Sequence, residues 1–219
     1  MAVVRVEGLE AEFKGCGDLI HTLGRVLEAV EPGRLVARSV KRVGRRLYVG
    51  GEVVDLMSFD DFAVLAVGKA SGPMAVKLLK LLEGRPVRGV AVMPHGLQPL
   101  HSLKPLETIH ASHPTPNPSS HRAGQKILEY AESCGDGSLA FVLLFGGASA
   151  LAVMPAGEVS VEEKAAAAAA LMRAGATIDE LNTVRKHLGL PDRIAFKPSI
   201  GKQEKRQINS INKDRTTPR

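Results

Sequence analysis

A small-residue turn follows an apolar run in the second half of the chain. The run LAFVLLF, residues 139–145, has the length and composition of a fully buried strand. Gly146, Gly147, Ala148 and Ser149 follow it directly. Small side chains let backbone N–H groups come close to a phosphate or a carboxylate, and a following helix adds partial positive charge. We therefore expect an anion-binding site at this turn.

A lysine occupies the equivalent position after another apolar run, residues 62–67. Gly68 and Lys69 follow that run and precede a predicted helix. Ligands of open α/β sheets gather at the carboxyl ends of the strands, so Lys69 is a candidate for neutralising an anion. The turn is not a Walker A loop, because positions 63 and 70 are both alanine. The alternative is a surface lysine at the start of a helix.

Four polar side chains near the end of the patterned sequence form a third candidate group. Asn182, Arg185, Lys186 and His187 fall within six positions. Arginine and lysine bind anions, and a histidine can act as a general base near neutral pH. The alternative for His187 is a histidine at a helix carboxyl terminus, where the dipole favours it. We expect this cationic segment, Lys69 and the glycine turn to share one opening.

Three further histidines, His110, His113 and His121, surround a proline-rich loop. The prolines at positions 114, 116 and 118 predict extended backbone. The histidine spacing matches no zinc signature, so we favour loop structure or a substrate contact by His113 over a metal site.

The elements that must position these residues alternate between strands and helices. Strands are predicted over 62–67, 88–93, 107–110 and 139–145, and helices over 19–30, 74–82, 119–132 and 161–174. We expect Glu31, Pro32 and Gly33 to end the first helix, and Ser119 or Ser120 to cap the third. A short ribbon over 39–56 turns at Gly50 and Gly51. Continuous apolar strands between helices are typical of an α/β fold, in which helices cover both faces of a mostly parallel, Rossmann-like sheet.

Charge is distributed unevenly along the 219 residues, whose formal net charge is +6. From residue 189 onward there are eight Lys or Arg and three acids, a net +5. The remainder is nearly neutral, so no specific nucleic-acid partner is predicted. The uncharged stretch 137–157 is long enough for a membrane helix, but its glycines and Pro155 argue against one. Cys16 and Cys134 show no ligand spacing, and we expect a cytoplasmic protein.

Two regions are predicted. Residues 1–188 carry the α/β pattern, which is incomplete at its carboxyl end, and residues 189–219 form a basic tail with few apolar positions. We expect this tail to have little structure, because such a composition buries too little apolar surface to offset the entropy of folding.

Four blocks in order, AVGKASGPMA, ASHPTPNPSS, LLFGGASAL and AGATIDELNTVRKHL, resemble the amino-terminal domain of the glycerate 2-kinase family, whose members also carry a smaller carboxy-terminal MOFRL domain. The similarity covers about residues 18–188. It implies ATP-dependent phosphorylation of the 2-hydroxyl of D-glycerate, with Mg²⁺. It also implies a site between two domains, so this chain carries one wall, and a homodimer or a separately encoded second domain is expected to complete it.

The resemblance carries over Lys69, the turn residues Gly146, Gly147 and Ser149, and the helix residues Asn182, Arg185, Lys186 and His187. Because phosphoryl transfer depends on positioning and on neutralising charge, we assign Lys69 and Arg185 to neutralising phosphate or carboxylate charge and expect His187 to be the base. The expected binding residues are Gly68, His113, Gly146, Gly147, Ser149, Asn182 and Lys186. Two positions depart from the family's usual turn, since Phe145 replaces a serine and Ala148 replaces a third glycine. A side chain at position 148 is expected to obstruct a backbone that needs positive φ.

Two other functions stay open. Reduction of hydroxypyruvate is an activity often attached by name to this family, but the chain contains no GxGxxG motif for a dinucleotide. The third possibility is a non-catalytic module that binds a nucleotide or a hydroxy acid.

Overall fold

The computed structural model describes residues 15–99 and 101–189. Its first part contains two helices and a three-stranded antiparallel sheet. These are α1 (Gly17–Ala29), α2 (Pro32–Ser39), β1 (Val40–Val43), β2 (Arg46–Val49) and β3 (Glu52–Asp55). A short 3-10 turn over Leu56–Ser58 then leads into the main sheet.

The main sheet has four parallel strands in the order β6-β5-β4-β7. The strands are β4 (Asp61–Val67), β5 (Val87–Pro94), β6 (Glu107–Ala111) and β7 (Ser138–Leu144). The helices that follow them are α3 (Ser71–Leu81), α4 (Pro118–Glu132), α5 (Ala148–Leu151), α6 (Val161–Arg173) and α7 (Ile178–His187). All four predicted strands are present within one residue of their predicted bounds, and the parallel α/β sheet is confirmed.

Two apolar cores lie on opposite faces of the sheet, because successive strand residues point to opposite sides. Phe62 and Val64 of β4 pack with Leu78 of α3 and with residues of the three-stranded sheet. Leu65 and Val67 pack on the other side, with Ile127 of α4 and other residues of α4 and α5. Burying each such side chain contributes about 1.5–3 kcal/mol. The prediction that helices cover both faces is therefore confirmed.

The order of the strands creates a crevice between β4 and β7. The chain passes from β4 to β5 and β6 in one direction and then returns to the other side of β4 to form β7. In open parallel sheets, ligands bind outside the carboxyl ends of the strands at such a change of direction. The residues that follow β4 and β7 therefore define the place to look for a site.

Strand β7 is less buried than its composition predicts. Its residues are mostly half-buried, and Leu144 is 65% exposed. The reason is its position, since β7 pairs with β4 and is the last strand of the sheet among the described residues. The prediction of a fully buried strand was wrong for this element.

The amino-terminal helices also differ from expectation. The first helix ends at Ala29, and Pro32, which the sequence predicts as part of a helix stop, begins α2. Proline is favoured in the first turn of a helix, and the Glu31 carboxylate accepts hydrogen bonds from the N–H groups of Gly33 and Arg34. The apolar positions of the first helix are exposed in the described structure: Leu19, Leu23, Val26, Leu27 and Val30.

Two local predictions need smaller corrections. The predicted ribbon has a third strand, because the chain turns at Gly44 as well as at Gly50 and Gly51. Helix α4 is capped by the side chain of Asn117, whereas the sequence suggested Ser119 or Ser120. Ser120 instead completes a reciprocal capping box with Asn117.

The predicted tail lies almost entirely outside the described residues, which end at Gly189. Gly189 itself forms an isolated bridge with Pro155. Within residues 15–99 and 101–189, no helix has both the length and the apolar character needed to cross a bilayer.

Candidate active site

Gly68 allows the turn after β4 to pack closely against the turn after β7. Its φ is +135°, and a Cβ at this position would lie 2.6 Å from the carbonyl oxygen of Phe145. Its N–H donates a hydrogen bond to Val92 O at 3.2 Å, which fixes the turn to β5 as well. Only glycine combines this backbone conformation with so close an approach. The turn at Gly68, Lys69 and Ala70 therefore connects β4 to β5 and to the turn after β7.

The two turns are hydrogen-bonded to each other. The N–H of Phe145 donates to Val67 O at 2.9 Å, and the N–H of Lys69 donates to Gly146 O at 3.0 Å. These bonds continue the pairing of β4 and β7 past the ends of the strands. As a result, Lys69 and the glycine turn are held side by side by backbone contacts, independently of their side chains.

Three chemically different groups meet at Gly147, whose φ is +92°. A Cβ built there would lie 2.9 Å from Nε2 of His113 and 3.6 Å from Cε of Lys69. Within the described residues, the N–H groups of Gly146 and Gly147 have no hydrogen-bond partner. An ammonium group, an imidazole and two available N–H groups suit a phosphate or a carboxylate.

Ala148 does not obstruct the turn. It begins α5 with φ below zero, and the positive φ belongs to Gly147. The expected conflict at position 148 is therefore absent, because the turn needs its glycine one position earlier. Phe145 is 39% exposed, and Ser149 is exposed on α5. We refer to Gly68, Lys69, His113, Gly146, Gly147 and Ser149 together as the β4–β7 site.

The four polar residues near the carboxyl end all lie on α7. Thr177 and Glu180 form a capping box at the start of this helix. Asn182, Lys186 and His187 are exposed, and Arg185 is half-buried. Nδ1 of His187 lies 2.8 Å from the carbonyl oxygen of Thr183, which can only accept, so Nδ1 carries the proton. In the neutral ring, Nε2 is then left with the lone pair.

The described contacts of α7 are with α6 and with the segment that precedes α6. The helix packs against α6, and Leu188 O accepts a hydrogen bond from the N–H of Ala156 at 3.3 Å. In the part of the chain that the structure describes, no hydrogen bond or ion pair joins Arg185 or His187 to Lys69. The structure thus brings together five of the predicted residues, Gly68, Lys69, His113, Gly146 and Gly147, and Ser149 lies two positions after Gly147 on α5. An opening shared with α7 stays a prediction.

Lys164 of α6 is a buried cation beside this helix. Lys164 is only 9% exposed. Burial, and to a smaller extent the charge of Arg185, lowers the pKa of its ammonium group below the ordinary value. No carboxylate forms an ion pair with it among the described residues. The charged form is therefore disfavoured in the folded state relative to the unfolded state.

Replacing Lys164 by methionine is expected to raise the free energy of unfolding at pH 7 by about 1 kcal/mol, because a well-packed apolar group removes the cost of burying the charge. Because the pKa of Lys164 is lower in the folded state, the unfolded chain binds more protons than the folded chain at pH values between the two pKa values. Wild-type stability should therefore rise across that window. The gain from the substitution should accordingly shrink toward pH 10. Urea unfolding at several pH values measures this.

The exposed Lys41 provides the matched control, since Lys41→Met should change stability little at any pH. The expectation would be contradicted if Lys164→Met were less stable than the wild type at pH 7 and equally less stable at pH 9.5. That result would mean that the ammonium group has a favourable partner.

Magnesium is not provided for by the described residues. No three His, Cys, Asp or Glu side chains within residues 15–99 and 101–189 are grouped to hold a metal ion. The β4–β7 site contributes only the Ser149 hydroxyl as a side-chain oxygen, whereas Mg²⁺ prefers carboxylates and phosphates. These residues therefore do not fit a resident Mg²⁺.

A cavity of about 400 Å³ opens beside Lys69. Sequence reasoning missed its residues, although Pro73, Val76, Lys77 and Lys80 recur at helical spacing on one face of α3. That spacing beside the candidate Lys69 was the sequence signal that could have indicated these lining residues.

Comparisons with known proteins find a matching family model and relatives that are named glycerate kinase. Residues 18–190 match a family model described as a domain of unknown function, DUF4147. A glycerate kinase of Danio rerio is 33% identical over 75% of this chain and 35% of its own length. The crystal structure of glycerate kinase from Thermotoga maritima has a TM-score of 0.62 at 30% identity, covering 75% of this chain and 36% of that one.

A second name also occurs among the relatives. A protein of Agrobacterium vitis called a putative hydroxypyruvate reductase is 37% identical over 57% of this chain and 28% of its own length. The chain spans about a third of the length of the curated relatives that it matches.

Proposed function

This chain belongs to the DUF4147 domain family, and from that premise we propose that it forms one wall of a D-glycerate 2-kinase. The observation that carries the proposal is the meeting of Lys69, His113 and Gly147 where β4 and β7 end. Phosphoryl transfer depends on positioning and on neutralising the charge spread over the transferred group, which an ammonium group and backbone N–H groups provide. The names of the relatives support the same activity.

In the proposed reaction, the 2-hydroxyl oxygen of D-glycerate forms a bond to the terminal phosphorus of ATP as the bond to ADP breaks. Lys69 and the N–H groups of Gly146 and Gly147 neutralise the transferred group. The hydroxyl proton passes to Nε2 of His187. Asn182 orients the hydroxyl, while Arg185 and Lys186 hold the carboxylate; His113 and Ser149 contact the substrate. Mg²⁺ enters bound to the ATP phosphates and lowers their charge.

These roles require α7 to face the β4–β7 site across an opening that a second wall completes. We propose that a second domain or a second copy of the chain provides that wall in the cytoplasm. The length of the relatives supports a site with a second wall, because the matched part is only 35% of the Danio rerio relative and 37% of the Thermotoga maritima D-glycerate 2-kinase.

The printed name of the Agrobacterium vitis relative favours a second candidate, reduction of hydroxypyruvate. Against it, the turn after β4 reads Gly68, Lys69, Ala70 and lacks the glycine pattern that accommodates a dinucleotide pyrophosphate. A non-catalytic module that binds a nucleotide or a hydroxy acid is the third candidate.

One assay separates the three candidates. Because the chain is expected to be inactive without the second wall, it is assembled with the domain or copy that completes the site and incubated with Mg²⁺, ATP and D-glycerate; ADP is measured, and the product is identified by phosphorus NMR. We expect ADP only when both substrates are present, and 2-phosphoglycerate as the product. NADH oxidation with hydroxypyruvate, without ADP, would support the reductase instead. Thermal stabilisation by ATP without turnover would support the binding module.

A further inference from the structure

The cavity beside Lys69 lies between two helices and a loop. Helix α2 lines one side with Arg34 and Ala37, and α3 lines the other with Val76, Lys77 and Lys80. Met93 at the end of β5 and residues 97–99 and 101 complete the lining. Its volume of about 400 Å³ is within the range of small-molecule sites.

The cavity is elongated along α3. Its lining extends from Gly72 to Lys80, which at 1.5 Å per residue corresponds to about 12 Å. At the Gly72 end it reaches Lys69, whose Cε is also 3.6 Å from the Cβ position of Gly147. A molecule lying in the cavity therefore has one end at the β4–β7 site.

The lining combines apolar surface with an excess of positive charge. Val76, Met93, Leu97 and Pro99 provide apolar walls. The cations are Arg34, Lys69, Lys77 and Lys80, and Glu31 is the one carboxylate among the lining residues. Glu31 caps α2, and Arg34 pairs with Glu28.

The three lysines have no ion-pair partner among the described residues. Side chains on a helix lean toward its amino terminus, so Lys77 and Lys80 direct their ammonium groups toward the Lys69 end. The apolar surface and the cationic end together suit an elongated molecule with an uncharged, flat body and a strongly anionic tail.

We propose that this cavity binds the nucleoside part of ATP, with the base against the apolar walls and the phosphates extending past Lys77 to Lys69 and the Gly147 turn. This inference rests on the proposed function, because it names where the phosphoryl donor of that reaction lies. It adds a binding site on α2 and α3 that the candidate site residues do not include.

Titration calorimetry of the full chain with Mg²⁺–ATP and with inorganic tripolyphosphate tests the inference. Ala37→Phe adds a ring to the α2 wall of the cavity and leaves Lys69 itself unchanged, and Ala166→Phe makes the same change at an exposed position of α6 as a matched control. We expect Ala37→Phe to weaken ATP binding at least tenfold, or about 1.4 kcal/mol, and to leave tripolyphosphate binding unchanged. The control should bind both ligands as the wild type does.

Three results would overturn the inference: unchanged ATP binding in Ala37→Phe, equal weakening of both ligands, or no ATP binding by the wild type. Should circular dichroism show that Ala37→Phe does not fold, Lys80→Glu replaces it, with the exposed Lys41→Glu as control. Lys80→Glu should weaken ATP binding about fivefold, and an unchanged value would equally overturn the inference. Cavity-dependent ATP binding without any glycerate phosphorylation would retain this site and remove only the proposed function.

Discussion

Replacing Gly68 by alanine is expected to lower the free energy of unfolding by about 3 kcal/mol. The backbone at this position has φ of +135°, which an L side chain rarely adopts, and the new methyl group would lie 2.6 Å from Phe145 O. Relief would require separating the turns after β4 and β7, and with them the hydrogen bond from Lys69 N–H to Gly146 O. Urea unfolding measures the loss.

Gly135→Ala is the matched control for this experiment. Gly135 has no positive φ, and nothing lies within 4 Å of a Cβ built there. The same change should therefore leave stability within about 0.5 kcal/mol of the wild type. Equal stability of the Gly68 and Gly135 variants would mean that the two turns do not approach each other as described.

Replacing Lys69 by methionine is expected to weaken tripolyphosphate binding at least tenfold and to lower the rate of glycerate phosphorylation by about 10²–10³. The side chain is exposed, so its loss should not change the fold. Its stem lies beside Gly147, where the ammonium group adds to the two available N–H groups. Calorimetry and the ADP assay give the two numbers.

Lys69→Arg should retain more binding than Lys69→Met, because the charge remains, although a guanidinium group differs in shape. Lys41→Met removes a lysine of the three-stranded sheet and should leave both measurements unchanged. If Lys69→Met bound tripolyphosphate as tightly as the wild type did, Lys69 would be the surface lysine that the sequence also allowed.

The sheet was predictable because its central strands are buried on both faces along most of their length. Strands β4 and β5 are covered on both faces, and their sequences are accordingly continuous apolar runs. Strand β7 has the same composition, but composition does not report that it is the last strand of the described sheet. Burial depends on neighbours that a single run of residues does not specify.

Helices α1 and α2 show where local patterns mislead. The apolar stripe of α1 correctly predicts a helix, yet its residues are exposed in the described part of the chain, because periodicity indicates a face and not what covers it. Pro32 was interpreted as a stop because proline ends many helices. It also begins helices, and the capping carboxylate of Glu31 decides between the two.

The candidate site was predictable in part for a similar reason. Parallel strands bring their carboxyl ends to one edge, so Lys69 and the Gly146–Gly147 turn were expected to meet. His113 joins them through a long loop whose path the sequence does not determine. The cavity lining comes from α2, α3 and a loop. The spacing of its residues on α3 was visible in the sequence, but α2 was itself missed, so the opposite wall could not be predicted.

Whether Lys69 and the turn at Gly147 form one anion-binding site can be measured by an NMR titration. Tripolyphosphate is added to ¹⁵N-labelled protein, and the amide resonances of Gly68, Lys69, Gly147 and Ala148 are followed. All four are expected to shift along one saturation curve with a common dissociation constant, while those of the three-stranded sheet stay in place. Unchanged resonances at Lys69 and Gly147, or separate constants for the two turns, would show that the two turns do not bind one anion.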